Sequence, residues 1–259
     1  MRQSSVYLHR ESSLHRLHPL TKLYLLFLVL VLSATLPNIT FLVAAYVLFI
    51  LPFAAWGRVL PSLLKGSIAI VLPFAISLAV IQGLFSVGHT ELFHIGRFAF
   101  TLEGVVSGET VASRILLAIG GALLFMISTR PDHLMLSLTQ RGLPNALAYI
   151  VLTSLQIFPR FQDRALVIID AQQSRGLEMQ GNVFKRISHL VPLLGPLILS
   201  SILDVEERAM ALEARAFSRR GSKTSLTVLE DTVSQRLLRA ILLLVSASLL
   251  VIRLWLVFK

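Results

Sequence analysis

Residues 23 to 57 contain no Asp, Glu, Lys or Arg. A run of that length without charge has to be shielded from water. As a helix rising 1.5 Å per residue it is too long for one crossing of a hydrocarbon core of about 30 Å. Pro37-Asn38 divides it. The run therefore reads as a tight helical hairpin, with span 1 over 23–36 and span 2 over 39–56.

Three more stretches fit the same requirement. Span 3 is expected over 66–85, span 4 over 105–129 with Glu109 and Arg114 in its first half, and a last span over 237–256. Charged residues make up only 15% of the chain, against about 25% in soluble domains. Cys is 0, which excludes a disulfide framework, a thiolate metal site and a Cys nucleophile. The formal charge of +10 fits nucleic acid, a membrane surface or the cytoplasmic loops of a membrane protein, and the hydropathy selects the last. Residues 1–22 are polar and carry Arg2, Arg10, Arg16 and Lys22, with no small-residue cleavage pattern after the apolar run. A cleavable signal peptide is not expected, so the first hairpin should remain in the mature protein. With the N-terminus inside, five spans place nearly all Lys and Arg inside, including the whole of 130–236, which gives an N-in, C-out orientation.

Residues 130–236 have a different texture. Two apolar runs, 142–159 and 187–203, each flow into a charged continuation. Either both runs are additional spans, or each is the apolar half of a long helix with a polar end. An even number of added spans leaves the chain ends where they were, so charge bias does not separate the two. The continuations favour long helices. Ala165, Ile168, Ile169 and Gln172 recur at helical spacing, as do Val205, Ala209, Leu212 and Ala216.

Both continuations end in similar text: Ala171-Gln172-Gln173-Ser174-Arg175-Gly176, and Ala211-Leu212-Glu213-Ala214-Arg215-Ala216-Phe217. Each sets an Arg between small residues. Gly176 suits the left-handed position that stops a helix, and Arg in a last turn meets the negative end of the helix dipole. An Arg before Gly is, taken alone, an ordinary helix end. Its near-duplication about 40 residues later, inside one basic segment, argues for more. A guanidinium projecting between small neighbours can enter a groove and meet a carboxylate through two parallel hydrogen bonds.

These two motifs resemble those of the T component, the transmembrane coupling subunit, of energy-coupling factor transporters, a family that includes CbiQ-like proteins. The similarity extends to His18-Pro19-Leu20-Thr21-Lys22-Leu23, Gly142-Leu143-Pro144 and Phe158-Pro159. The resemblance implies an all-α, polytopic membrane helix bundle. It would comprise a cytoplasmic segment 1–22, spans 1–4 within 23–129, a coupling domain 130–236 with two long helices, and a final span in 237–259. It implies a non-catalytic subunit without a cofactor. Arg175, with Ala171, Gln172, Ser174 and Gly176, would meet one ATP-binding cassette ATPase. Arg215, with Glu213, Ala214 and Ala216, would meet a second. A membrane-embedded S component, binding a vitamin or a transition-metal ion, would lie against the apolar halves of the coupling helices. Two residues depart from the family pattern. Ser174 replaces an Ala at little cost in size. Ala216 replaces a Gly and disfavours a left-handed cap, so the second helix is expected to run on toward Gly221 and leave Arg215 on its side.

Other chemistry finds little support. Gly221-Ser222-Lys223-Thr224 lacks the upstream Gly and the Gly-Lys step of a phosphate loop. His9, His15 and His18 cluster near the N-terminus, and His89 and His94 lie in an outer loop, but no metal-ligand spacing appears. Gly104 and Gly108, with Gly120-Gly121, suit close helix packing. A secondary transporter or a membrane enzyme would be expected to carry paired acids or histidines inside its spans, and only Arg114 and its acidic neighbours come near. A conventional ABC permease subunit would couple through a short loop helix rather than two long ones.

Overall fold

In the computed structural model the described residues are 17–86, 90–95, 98–176, 183–217, 219, 229 and 231–258. They form helices α1 (Pro19–Thr35), α2 (Ile39–Trp56), α3 (Leu60–Phe85), α4 (Leu102–Ser128), α5 (Pro131–Thr139), α6 (Asn145–Ser174), α7 (Val183–Ala214) and α8 (Val233–Phe258). A short antiparallel hairpin, β1 (Glu91–Ile95) with β2 (Phe98–Thr101), precedes α4. The protein is thus an all-α polytopic membrane bundle with one small hairpin that the hydropathy did not indicate. Helices α2, α3, α4 and α8 are long and apolar enough to cross a bilayer, and α1 is a shorter apolar helix of 17 residues.

The chain divides into two compact units, one containing Pro144–Val228 and the other containing α1–α5 and α8. In the second unit, α1 and α4 run antiparallel with a seven-residue register. The Lys22 ammonium donates to the Ser128 carbonyl at 2.6 Å, and the Arg114 guanidinium donates to the Leu36 carbonyl at 3.3 Å. Midway, a Cβ on Gly121 would come within 2.7 Å of Val29. Steps of seven along α1 (22, 29, 36) meet steps of seven back along α4 (128, 121, 114), which is the repeat that keeps two helices facing each other. Each cation satisfies a carbonyl at the other helix's C-terminal end, where the dipole favours it. Arg114, an ionisable group expected within span 4, is therefore a helix-end donor.

Glycine lets α3 and α4 approach to backbone contact. A Cβ on Gly108 would meet the Leu78 carbonyl oxygen at 2.7 Å, and one on Gly104 would collide with the Gln82 carbonyl. Gly120 leaves room for the Tyr46 ring, whose hydroxyl lies 3.3 Å from Ser67 Oγ. Val29, Leu42, Ile50, Leu63, Leu117 and Leu124 close the core around these contacts. Within α2, residues Tyr46–Ile50 form a π turn, with the Leu51 N–H reaching back to the Tyr46 carbonyl. Pro52, which has no N–H to offer the preceding turn, follows directly.

The start of α8 is tied down by charge. Asp231 pairs with Arg239, with Arg236 at 3.3 Å and with Arg141 at 3.4 Å. The Arg239 hydrogen bond holds the Asp231 carboxyl below its ordinary 3.8. His18 caps α1, its Nδ1 accepting from the Leu20 N–H at 3.3 Å while its own N–H donates to Gln235 Oε1 at 3.1 Å. Burial lowers the pKa of His18, outweighing the attraction of Asp231.

Candidate functional site

The unit containing Pro144–Val228 carries the two arginine motifs. Each apolar run and its charged continuation form one uninterrupted helix, 30 residues in α6 and 32 in α7. Large apolar side chains stay exposed on their early halves, among them Ile150 and Phe158 on α6 and Ile198 and Leu199 on α7. Contiguous exposed apolar surface of this kind marks contact with lipid or with another protein.

The later halves meet at one clasp. Arg164 Nη1 lies 2.8 Å from Asp204 Oδ2, Arg164 Nη2 donates to Asp204 Oδ1 at 3.0 Å, and Nη1 also donates to the Ser200 carbonyl at 3.0 Å. The hydrogen bond from Arg164 holds the Asp204 carboxyl below its ordinary value, and Arg208 and Arg160 add to the effect. Arg160, Asp163, Arg164, Asp204, Glu207 and Arg208 line a single charged cleft there. Farther along, the Tyr149 ring near the start of α6 lies 5.3 Å from Phe217, just past the end of α7. Contacts at 164–204 and 149–217 mean that the helices run antiparallel, so Arg175 and Arg215 are carried in opposite directions from the clasp.

The half-buried face of α6 is the one expected, with Ala165, Ile168, Ile169 and Gln172 less exposed than their neighbours. On α7 the expected face is wrong. Val205, Ala209 and Ala216 are exposed, and the half-buried line runs through Asp204, Arg208 and Leu212. The ionic clasp turns the charged side of α7 inward, a choice that an apolar periodicity does not reveal.

Both arms end alike. In α6, Ser174 is the last helical residue, Arg175 is the C-cap, and Gly176 adopts φ 92° with its N–H on the Gln173 carbonyl at 2.9 Å. In α7, Ala214 is last, Arg215 follows, and Ala216 adopts φ 53°. The Ala216 N–H reaches the Glu213 carbonyl at 2.8 Å and the Phe217 N–H reaches Leu212 at 2.9 Å, the paired bonds of a Schellman cap. The expectation that α7 continues toward Gly221 is therefore corrected. The two bonds and the Phe217–Tyr149 contact stabilise the turn enough for Ala to take the left-handed conformation. Arg175 and Arg215 are exposed, and neither side chain has an ion pair or hydrogen-bond partner among the described residues. Ala171 and Glu213 are exposed beside them, and Ser174 Oγ donates to the Asp170 carbonyl at 3.0 Å.

No group of metal-ligating side chains occurs among the described residues. His18 is the α1 cap, whereas His9, His15, His89 and the 221–224 sequence lie outside the described residues. What the site offers is two guanidinium forks on opposed helix tips, a recognition surface for anions. Sequence reasoning missed the clasp. The available signal was that Arg164 and Asp204 each stand eleven residues before their motif arginine.

An all-α, multi-pass bundle with two cation-tipped helices defines a polytopic membrane protein. A sequence model of the CbiQ family, described as cobalt transport protein, matches residues 10–226, and the chain belongs to that family. It is similar to the energy-coupling factor transporter transmembrane protein EcfT of Thermosediminibacter oceani, at 28% identity over 87% of this chain and 88% of the relative. The protein of that name from Lacticaseibacillus paracasei is 29% identical over 86% and 88%. That of Heliobacterium modesticaldum is 30% identical over 82% of each chain. The chain is accordingly a transmembrane component of an energy-coupling factor transporter, resident in the cell membrane.

Proposed function

We propose that this chain transmits the conformational change of two ATP-binding cassette ATPases to a membrane-embedded, substrate-binding S component. The cargo is a vitamin or a transition-metal ion. The charge bias supports five spans with the N-terminus inside, a topology in which the 130–236 segment and both arginines face the cytoplasm, where ATP is. Arg175 enters an acidic groove on one ATPase and Arg215 enters that of the other. The exposed apolar halves of α6 and α7 receive the S component.

The observation that carries the reading is the pair of matching helix ends, each presenting an exposed arginine without a partner among the described residues. The opposed directions of the arms favour two separate ATPase contacts over one shared site. The test is co-purification: a tag on this chain should retain its ATPases from detergent extracts, and Arg175→Ala plus Arg215→Ala should release them while the chain still inserts. An unchanged yield of ATPase-bearing complex from the double variant overturns the assignment.

A further inference from the structure

The clasp between Arg164 and Asp204 has a position that stability alone does not explain. Arg175 stands eleven residues beyond Arg164, and Arg215 stands eleven residues beyond Asp204. At 1.5 Å per residue each arm is about 16 Å long. The arms leave the clasp in opposite directions, as the contacts at 164–204 and 149–217 require. Both partners are about two-fifths exposed, a setting in which ion pairs add little to folding stability. The geometry is nevertheless specific: one guanidinium binds both carboxylate oxygens across the helix pair and also takes the Ser200 carbonyl.

Each helix also carries proline ahead of the clasp. Pro159 lies within α6 five residues before Arg164, and Pro192 and Pro196 lie within α7 before Asp204. A proline removes one backbone hydrogen bond and permits bending there. At the clasp the two helices are bound to each other.

We infer that Arg164 and Asp204 are positioning residues that form an ionic pivot, holding the two arginine-tipped arms as one rigid lever so that displacement of one tip is felt at the other. This rests on the coupling function proposed above. It assigns the mechanical connection between the arms to one side-chain pair rather than to apolar packing.

The chain contains no cysteine, so two can be introduced cleanly. Asp170→Cys and Met210→Cys place spin labels five residues short of each tip, at exposed positions. The interlabel distance is then read by pulsed electron resonance on the whole complex and on the chain alone in nanodiscs. A single narrow distance distribution is expected with the clasp intact. Arg164→Ala or Asp204→Ala should broaden it in both samples. In the complex, nucleotide should leave the distance unchanged while the clasp is intact, because the arms move together, and should shift it in either variant. The swapped pair Arg164→Asp with Asp204→Arg should restore both readouts, which a general loss of folding would not allow. Unchanged width and nucleotide response in the alanine variants, or a swapped pair that fails as badly as either, overturns the pivot. Failure of the unsubstituted chain to retain an ATPase would instead overturn the coupling function, and the distribution in the isolated chain would still report on the clasp.

Discussion

Ala216 takes φ 53° where a glycine would do so freely. A side chain in the left-handed region costs about 1–2 kcal/mol, because Cβ crowds the following carbonyl. The turn holds because two backbone hydrogen bonds and the Phe217–Tyr149 contact offset that cost. Ala216→Gly should therefore stabilise the end of α7, by up to about 1 kcal/mol, since glycine also gains freedom in the unfolded chain. A rise in the thermal midpoint of the purified protein checks it. Gly108 answers to a different constraint. Its neighbour is the Leu78 backbone, which cannot rotate away. Gly108→Leu should part α3 from α4 at a cost of about 1–3 kcal/mol, the usual range for overpacking, seen as a lowered midpoint in detergent.

Among the elements, the α1–α4 pair shows what hydropathy conveys and what it leaves out. The lack of charge over 23–57 placed α1, α2 and the Pro37 break between them. Apolar periodicity likewise placed α6, because its packed face is the apolar one. It failed on α7, where an ion pair chose the face, and at Ala216, where tertiary contact overrode intrinsic preference. The exchange of helix-end donors between Lys22 and Arg114 was also illegible, since each partner is a backbone carbonyl without a sequence signature. Lys22→Met should leave the Ser128 carbonyl without its donor and cost about 1–3 kcal/mol, measurable as earlier thermal unfolding. The Asp231 cluster makes a pH prediction. Its carboxyl titrates below 3.8 in the folded protein, so its stabilisation is complete above that value and is lost as the pH falls through the lower, folded-state value. Asp231→Asn should lower the melting temperature at pH 7, and the gap to the unsubstituted protein should begin to narrow only as the pH falls below about 4.

For the molecule as a whole, two separate contacts should behave as a linked pair. Once one arm is docked, the second binds from a high effective concentration. If each arginine docks as proposed, removing one forfeits a charge-assisted bond of about 1.5–3 kcal/mol, or one to two decades in affinity. Arg175→Ala or Arg215→Ala alone should thus leave a complex that survives at high protein concentration and falls apart on dilution. The double variant should not assemble at either concentration. Arg→Lys at both sites should lie between, since an ammonium keeps the charge and loses the planar fork. Titrated pull-downs separate the three cases. The seven-residue register of α1 on α4 sets a boundary on any such motion. Slippage of one helix along the other would strip Lys22 and Arg114 of their carbonyls together and drive Val29 against the helix backbone beside Gly121. That pair behaves as a bolted joint, so a power stroke must find its travel in the rest of the machine.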